Sequence, residues 1–379
     1  MPSFNNFINL WKNIGELDLR PIRTAAEKSI EISVVGSEGS GRQMLAEKLR
    51  VDPARPQNRT ETPVYISDIE NFQVTPELNL VVVLIEASSP DTSREQSLVL
   101  NLLQQKKKTI VLVNAQGSPD RSLVPAKNVN WSGAKLLYGS IEDKDFLLKT
   151  FVPAVLDLLP DDHIALGRQF PLFRIPVATR LISETCVSNA AYSLSTGVAE
   201  IVPGLGIPLN VADMVVLSKA QAFLIYKLGL AFGFSTRWQD YVNEFGSVTG
   251  SGFLWRQIAR QLVGLIPVWG IIPKVVISYA GTYVVGNVAL QWYLTGRHIT
   301  KDQMRELYRD AAVRGKAFGQ ALSEKRPKLL LGRQKKRALP APDFKACPNC
   351  GKTNPVDANF CYGCGTAIPS AAGTSIEAS

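Results

Sequence analysis

The stretch VVGSEGSGRQ, residues 34–43, decides how the first part of this chain is interpreted. It ends an apolar run that is typical of a buried strand, and the sequence after it has the spacing of an amphipathic helix. Gly36 and Gly41 are spaced as in the phosphate-binding loop pattern G-x-x-x-x-G-K-[ST]. However, Arg42 occupies the lysine position, and Gln43 occupies the position of the hydroxyl that binds magnesium. The stretch thus predicts the backbone of such a loop without two of its functional side chains.

Strand patterns and helix patterns alternate from residue 28 to residue 160. Five strands are predicted, within SIEISVVG, PVYISDI, LNLVVVLIEA, KTIVLVNA and AKLLYGS. Near-continuous apolar strands that alternate with helices indicate a mostly parallel, doubly wound α/β sheet. Ligands bind such sheets beyond the carboxyl ends of the strands. The candidate site is therefore the loop at residues 36–43, together with the residues after the second, fourth and fifth strands.

The order of these strands and loops resembles an Era/Ras-type GTPase domain, which implies a P-loop fold. Asp68 matches the aspartate of the family's D-x-x-G motif, but Asn71 replaces its glycine. Asn114 matches the first residue of N-K-x-D, but Ala115 and Gly117 replace the lysine and the aspartate. Without that aspartate, the acceptor that recognises guanine is missing. The resemblance with these departures implies a degenerate, pseudo-GTPase domain in which GTP and Mg2+ are not expected to bind.

Nucleotide binding stays open as an alternative, because the backbone amides of residues 37–42 at a helix N-terminus can hold an anion. In that case the protein would be a divergent GTP-binding switch with weak GTPase activity. No catalytic residue is predicted, because the two histidines, His163 and His298, lack a matched nucleophile. The residues of the degenerate nucleotide site would be Gly36, Gly39, Ser40, Gly41, Arg42, Gln43, Asp68 and Asn114.

A helical, apolar segment follows the sheet. Residues 161–176 have the prolines and mixed charge of a connector, and residues 177–323 have the patterns of an all-α hydrophobic domain. This domain resembles the YcjF-type hydrophobic domain of unknown function that is appended to Era-like bacterial GTPases. The resemblance rests on apolar helical patterns and on three residues around the start of the first long helix, Pro208, Asp213 and Gln221. It implies membrane association.

The most apolar run, residues 262–290, contains a single charge, Lys274. A membrane-spanning helix needs about 20 apolar residues, so residues 262–294 are long enough either to enter a bilayer or to form a buried helical hairpin. Both interpretations stay open. An amphipathic helix predicted within residues 1–27 could contact a membrane surface or pack on its own domain. No signal peptide is recognisable, which predicts soluble domains on the cytoplasmic face of the cell membrane.

The net charge of +9 is concentrated in one part of the chain. Residues 297–337 hold thirteen lysines and arginines against four acidic residues, so the remainder is neutral overall. The basic linker at residues 324–345 is predicted to be a flexible tether, with contact to anionic lipid or to nucleic acid as alternatives. Aromatic side chains do not alternate with the basic ones, which weakens the nucleic-acid alternative.

The most specific motif is CPNCGKTNPVDANFCYGCG, residues 347–365. Two Cys-x2-Cys pairs separated by ten residues supply four thiolates, a closed tetrahedral shell that is typical of structural Zn2+. The segment resembles bacterial C-terminal zinc ribbons, which bind proteins or nucleic acids. A zinc ribbon is therefore predicted at residues 346–369, before a disordered tail at residues 370–379, with the metal ligands Cys347, Cys350, Cys361 and Cys364.

Together these patterns predict a multidomain protein with a doubly wound, P-loop-like α/β sheet, an all-α hydrophobic domain and a small zinc ribbon. The favoured hypothesis is a membrane-associated, pseudo-GTPase-like adaptor or scaffold whose ribbon binds a protein partner. One alternative is the divergent GTP-binding switch. The other is a soluble zinc-ribbon protein that binds nucleic acid.

Overall fold

The computed structural model describes residues 19–115, 131, 133–197, 211–241, 274–296, 300–325, 344–346, 348–349 and 353–355. The chain divides into two compact units, residues 1–322 and residues 323–379. The predictions for an amphipathic helix before residue 19 and for a C-terminal tail lie outside the described residues. The same holds for most of the basic linker and for residues 262–273.

The first unit is built on a five-stranded sheet. In chain order the strands of this unit are β1 (Glu31–Gly36), β2 (Val51–Asp52), β3 (Arg55–Arg59), β4 (Tyr65–Ser67), β5 (Leu78–Glu86), β6 (Thr109–Asn114) and β7 (Lys135–Gly139). The sheet has the order β4-β1-β5-β6-β7, and all neighbouring strands are parallel. The prediction of a parallel α/β sheet is thus confirmed. Strands β2 and β3 form a separate antiparallel hairpin.

Helices accompany the sheet, and in the described residues between β7 and residue 325 the regular elements are all helical. Those in the described ranges are α1 (Arg20–Glu27), α2 (Arg42–Arg50), α3 (Ser93–Gln104), α4 (Lys144–Phe146), α5 (Val152–Leu158), α6 (His163–Gln169), α7 (Arg174–Gly197), α8 (Val211–Ala231), α9 (Lys274–Thr295) and α10 (Lys301–Lys325). A π-helical turn at Leu147–Phe151 and 3-10 turns at Pro160–Asp162 and Pro171–Phe173 connect α4 to α7. The segment at residues 161–176 is therefore mostly helical.

Both faces of the central strands β1, β5 and β6 are buried, which explains their near-continuous apolar runs. Neighbouring residues of β5 point to opposite faces, so Val82 and Leu84 belong to one hydrophobic cluster, whereas Val81 and Val83 belong to another. Helix α3 covers the second cluster and contributes Val99 and Leu102. The first cluster lies under α2 and the later helices.

The sheet and the helical segment share one hydrophobic core. A single cluster of buried side chains extends from Leu19 through the sheet to Ala311 in α10. Phe170 and Phe173 are fully buried in it, with their rings edge to face at a centroid distance of 6.4 Å. The turn that holds Phe173 contacts α2 on one side and leads into α7 on the other. The helical segment and the sheet therefore stabilise each other through the residues that join them.

Helix α9 contains the second half of the most apolar run, and protein surrounds it. It packs against α7 and α8. On another side, glycines of α10 allow close approach, because a Cβ atom on Gly315 would lie 3.1 Å from Tyr279 and one on Gly319 would lie 3.5 Å from Val275. The apolar side chains of α9 thus contact three other helices. Within the described ranges, no helix combines the length and the hydropathy that crossing a membrane requires.

Candidate functional site

The loop after β1 lies at the point where the sheet changes direction. From β1 the chain passes to β4 on one side, whereas β5 on the other side leads on to β6 and β7. In open parallel sheets, the crevice beyond the carboxyl ends of two such strands is where ligands bind. Residues 37–41 occupy this crevice between β1 and the N-terminus of α2. This geometry is compatible with a P-loop fold and makes the loop the candidate site.

Two glycines are required by the path of this loop. A Cβ atom on Gly36 would lie 2.6 Å from both the carbonyl oxygen of Leu84 and the Oγ of Ser40. Gly41, which directly precedes α2, has a φ of 96°, in the left-handed region that side chains disfavour. Packing and backbone conformation thus explain both glycines of the motif, whether or not the loop holds a ligand.

The guanidinium of Arg42 contacts a backbone carbonyl oxygen and a carboxylate of the same chain. Its Nη1 donates a hydrogen bond to the carbonyl oxygen of Gly36 at 2.8 Å, and the same atom forms an ion pair with the carboxylate of Asp68. The Arg42 side chain is only 16% exposed, whereas that of Asp68 is 50% exposed. The guanidinium therefore lies back against the loop, and the carboxylate of Asp68 balances its charge.

Other carboxylates also face the loop. Glu95 of α3 is buried, and its Oε1 accepts a hydrogen bond from the Oγ of Ser37 at 3.1 Å. At the end of β5, Glu86 places its Oε2 3.6 Å from the position of a Cβ atom on Gly39. With Asp68, which pairs with Arg42, three carboxylates lie beside the loop. Like charges placed together oppose binding, so this arrangement disfavours a polyphosphate.

The remaining candidate residues have structural positions. Asn114 is fully buried, donates from Nδ2 to the carbonyl oxygen of Ser40 at 3.0 Å, and accepts from the backbone N–H of Ile141 at 3.2 Å. It thereby ties the loop to the segment after β7. The Ser40 hydroxyl is buried and has no hydrogen-bond partner among the described residues. Gln43 is exposed on α2. The fold thus brings Gly36–Arg42, Asp68 and Asn114 together and leaves Gln43 at the surface.

Sequence patterns missed the two glutamates that border the loop. Glu86 is the last residue of β5, at the same edge of the sheet as the other candidate residues. This position after an apolar run could have identified it from the sequence. Glu95 stands in a helix whose pattern gave no indication that its carboxylate would be buried. Only the packing of α3 against the sheet places it beside Ser37.

The isolated cysteine and the described histidine are both buried away from the candidate loop's described contacts. Cys186 is fully buried in α7, and burial raises the pKa of its thiol to about 12, so it is a poor nucleophile at neutral pH. His163 is also buried, and its Nε2 lies 2.8 Å from the carbonyl oxygen of Leu156. His298 lies outside the described residues.

The second unit contains the start of the predicted metal centre. Strands β8 (Phe344–Ala346) and β9 (Thr353–Pro355) form an antiparallel hairpin in which Ala346 pairs with Thr353. Pro348 and Asn349 form a turn within its connection. Cys347 and Cys350 flank this turn in the sequence, as expected for a pair of thiolates that bind one metal ion. The four cysteines of the motif lie outside the described residues. The described residues themselves contain no cluster of His, Cys, Asp and Glu that could hold a metal ion.

Comparison with known proteins identifies the C-terminal segment. Residues 347–368 match the zinc-ribbon domain family, and the match includes all four cysteines of the motif. The zinc-ribbon prediction is thereby confirmed, and the donor set of four thiolates suits Zn2+. No GTPase family and no YcjF-type family accompanies this match. No curated protein matches the chain.

Proposed function

We propose that this protein is a non-enzymatic, membrane-associated adaptor or scaffold that combines a pseudo-GTPase domain with a zinc-ribbon interaction module. The ion pair between Arg42 and Asp68 carries the proposal. Phosphoryl transfer depends on a positioned metal ion and on cations that neutralise the phosphates. Here the cation next to the loop is already neutralised by the chain itself, and Gln43 offers no hydroxyl for a metal ion.

The zinc ribbon supports an interaction role. A closed shell of four thiolates leaves no open coordination position, so such a site stabilises a fold and does not activate water. In the sequence the ribbon follows a basic linker that is predicted to be a flexible tether. We assign it to binding a protein partner. Nucleic acid is the second choice, because the linker lacks interspersed aromatic side chains.

Membrane association rests on the sequence of segments outside the described residues. Residues 4–17 combine apolar side chains at helical spacing with polar ones, and residues 262–273 hold no charge. The basic residues of 324–345 add attraction to anionic lipids. An amphipathic segment combined with basic residues is the kind of dual signal that holds a protein on a membrane surface.

Fractionation of cells that express the full chain tests the membrane part of this proposal. We expect the protein to sediment with membranes and to remain there in about 1 M salt, where the Debye length is only about 3 Å. Apolar contacts survive this treatment, whereas purely electrostatic ones do not. A nuclease-treated sample is the control for attachment through nucleic acid.

Two results would contradict membrane association. Recovery of the protein in the soluble fraction at low salt would contradict any attachment to membranes. Release by nuclease would instead support the soluble nucleic-acid-binding alternative. The GTP-binding switch remains the alternative from a different class, because the loop keeps both motif glycines at the N-terminus of α2.

A further inference from the structure

The segment at residues 68–76, which joins β4 to β5 beside the candidate site, is held by cations from other elements. They come from the start of α2, from α3 and from the connection between α3 and β6. Each cation meets an oxygen of the segment. The pairs are Arg42 with the Asp68 carboxylate, Arg94 with the Glu70 carboxylate, and Lys107 with the carbonyl oxygens of Thr75 and Pro76. The segment is thus held at its beginning, near its middle and at its end.

Arg42 and Lys107 each donate to a backbone carbonyl oxygen, whereas the Arg94 contact is an ion pair at the surface. The Arg94 pair has an N–O distance of 2.5 Å, but both side chains are exposed, and such pairs contribute little. Arg42, in contrast, is largely shielded from solvent and also donates to Gly36. Lys107 donates to two carbonyl oxygens at 2.7 and 2.9 Å, which satisfies backbone groups that sheet pairing leaves free.

Apolar packing holds the same segment from the inner side. Ile69, Phe72 and Val74 are partly buried and contact the hydrophobic cluster on the α3 side of the sheet. The residues between them, such as Asn71 and Gln73, are exposed. The segment therefore has one side against the sheet and one side in solvent, and the cations fix it at both ends.

We propose that residues 68–76 form a latch that the chain closes with its own cations, so that this surface keeps one conformation without any nucleotide. The inference rests on the proposed function, because an adaptor without a nucleotide needs a constant surface. Arg42 is the central contact, since it links the latch to the candidate loop itself. The latch begins directly after β4, a strand in which Tyr65 and Ile66 are exposed, so it also holds the end of that strand in place.

Hydrogen exchange of the full chain tests the latch. We expect peptides that cover residues 66–77 to be equally protected with no addition, with GTP and Mg2+, and with GDP and Mg2+. Arg42→Gln is expected to accelerate exchange in these peptides by about tenfold, because it removes the ion pair with Asp68 and the part-buried hydrogen bond to the carbonyl oxygen of Gly36. Peptides from β6 should remain unchanged, which excludes global destabilisation.

A double-mutant cycle separates the ion pair from other effects of each side chain. If Arg42 and Asp68 act as one contact, the double variant Arg42→Gln/Asp68→Asn should exchange no faster than Arg42→Gln alone, because that variant has already lost the pair. Additive acceleration would overturn the role of the pair. Arg59→Gln is the matched control, because it breaks the pair of Arg59 with Glu47 at 2.9 Å on the other end of α2 and should leave residues 66–77 unchanged.

The outcomes distinguish this inference from the proposed function. Rapid exchange of residues 66–77 in the wild-type chain, with and without nucleotide, would overturn the latch and leave the pseudo-GTPase proposal intact. Protection that appears only when GTP and Mg2+ are added would overturn both, because it would show a bound nucleotide that orders the segment.

Discussion

Replacing Cys347 by serine is expected to release the zinc and to unfold the ribbon, while residues 1–322 remain folded. The matched segment, residues 347–368, is too small to form a hydrophobic core of its own. Zinc contributes about 10–16 kcal/mol to the folding of comparable peptides at neutral pH. Loss of one of four thiolates removes most of that free energy. The ribbon and the first unit are separate compact units, so we expect no change in the melting of the first.

Metal content and thiol titration measure this effect together. We expect one zinc ion per wild-type chain and a large loss in Cys347→Ser. A chelator should expose four reactive thiols, whereas the fifth, Cys186, should react only when the first unit unfolds, since it is fully buried. Cys186→Ser is the matched control and should keep its zinc. Full zinc content in Cys347→Ser, or no zinc in the wild type, would contradict the assignment.

Truncation of Phe173 to alanine is expected to destabilise the sheet and the helical segment at once. The side chain is fully buried in the core that the two parts share. Replacing a buried phenylalanine by alanine costs about 3–5 kcal/mol. Because the turn that holds Phe173 contacts α2 and continues into α7, the loss should not be confined to one part.

This coupling is measured by hydrogen exchange in β6 and in α9 at increasing concentrations of a chemical denaturant. Both elements should unfold in one transition in the wild type, and the transition should move to lower denaturant in Phe173→Ala. Val313→Ala serves as the control, because Val313 is 68% exposed and its loss should change the free energy of unfolding by less than about 0.5 kcal/mol. Two separate transitions for β6 and α9 would show that the shared core does not couple them.

The sheet could be predicted because its signals are local. The run LNLVVVLIEA is apolar without interruption over residues 80–85, as expected for a short strand that is covered on both faces. Gly41 has a local cause, its positive φ before α2, whereas Gly36 lies against Leu84 of the adjacent strand β5. These constraints act within a few residues or between adjacent strands, where sequence patterns are informative.

The chemistry of the loop could not be predicted in the same way. Arg42 and Asp68 are separated by 26 positions, and they meet only because β4 pairs with β1. The sequence showed that a lysine was missing, but it could not show where the guanidinium would point. Hydropathy left a similar ambiguity for α9, since a helix inside a protein core and a helix in lipid require the same side chains. The structure adds the contacts of α9 with α7, α8 and α10, which a hydropathy pattern cannot specify.

Titration of the full chain with GTP and with ATP, with and without Mg2+, tests the central claim most directly. The full chain is required because the sheet shares its core with the helices that follow. We predict no binding at millimolar nucleotide, since Arg42 is paired with Asp68 and carboxylates face the loop. An Arg42→Lys/Gln43→Ser variant, measured beside it, restores the two missing motif residues. Micromolar, magnesium-dependent binding by the wild-type chain would contradict the account and identify the loop as a nucleotide site.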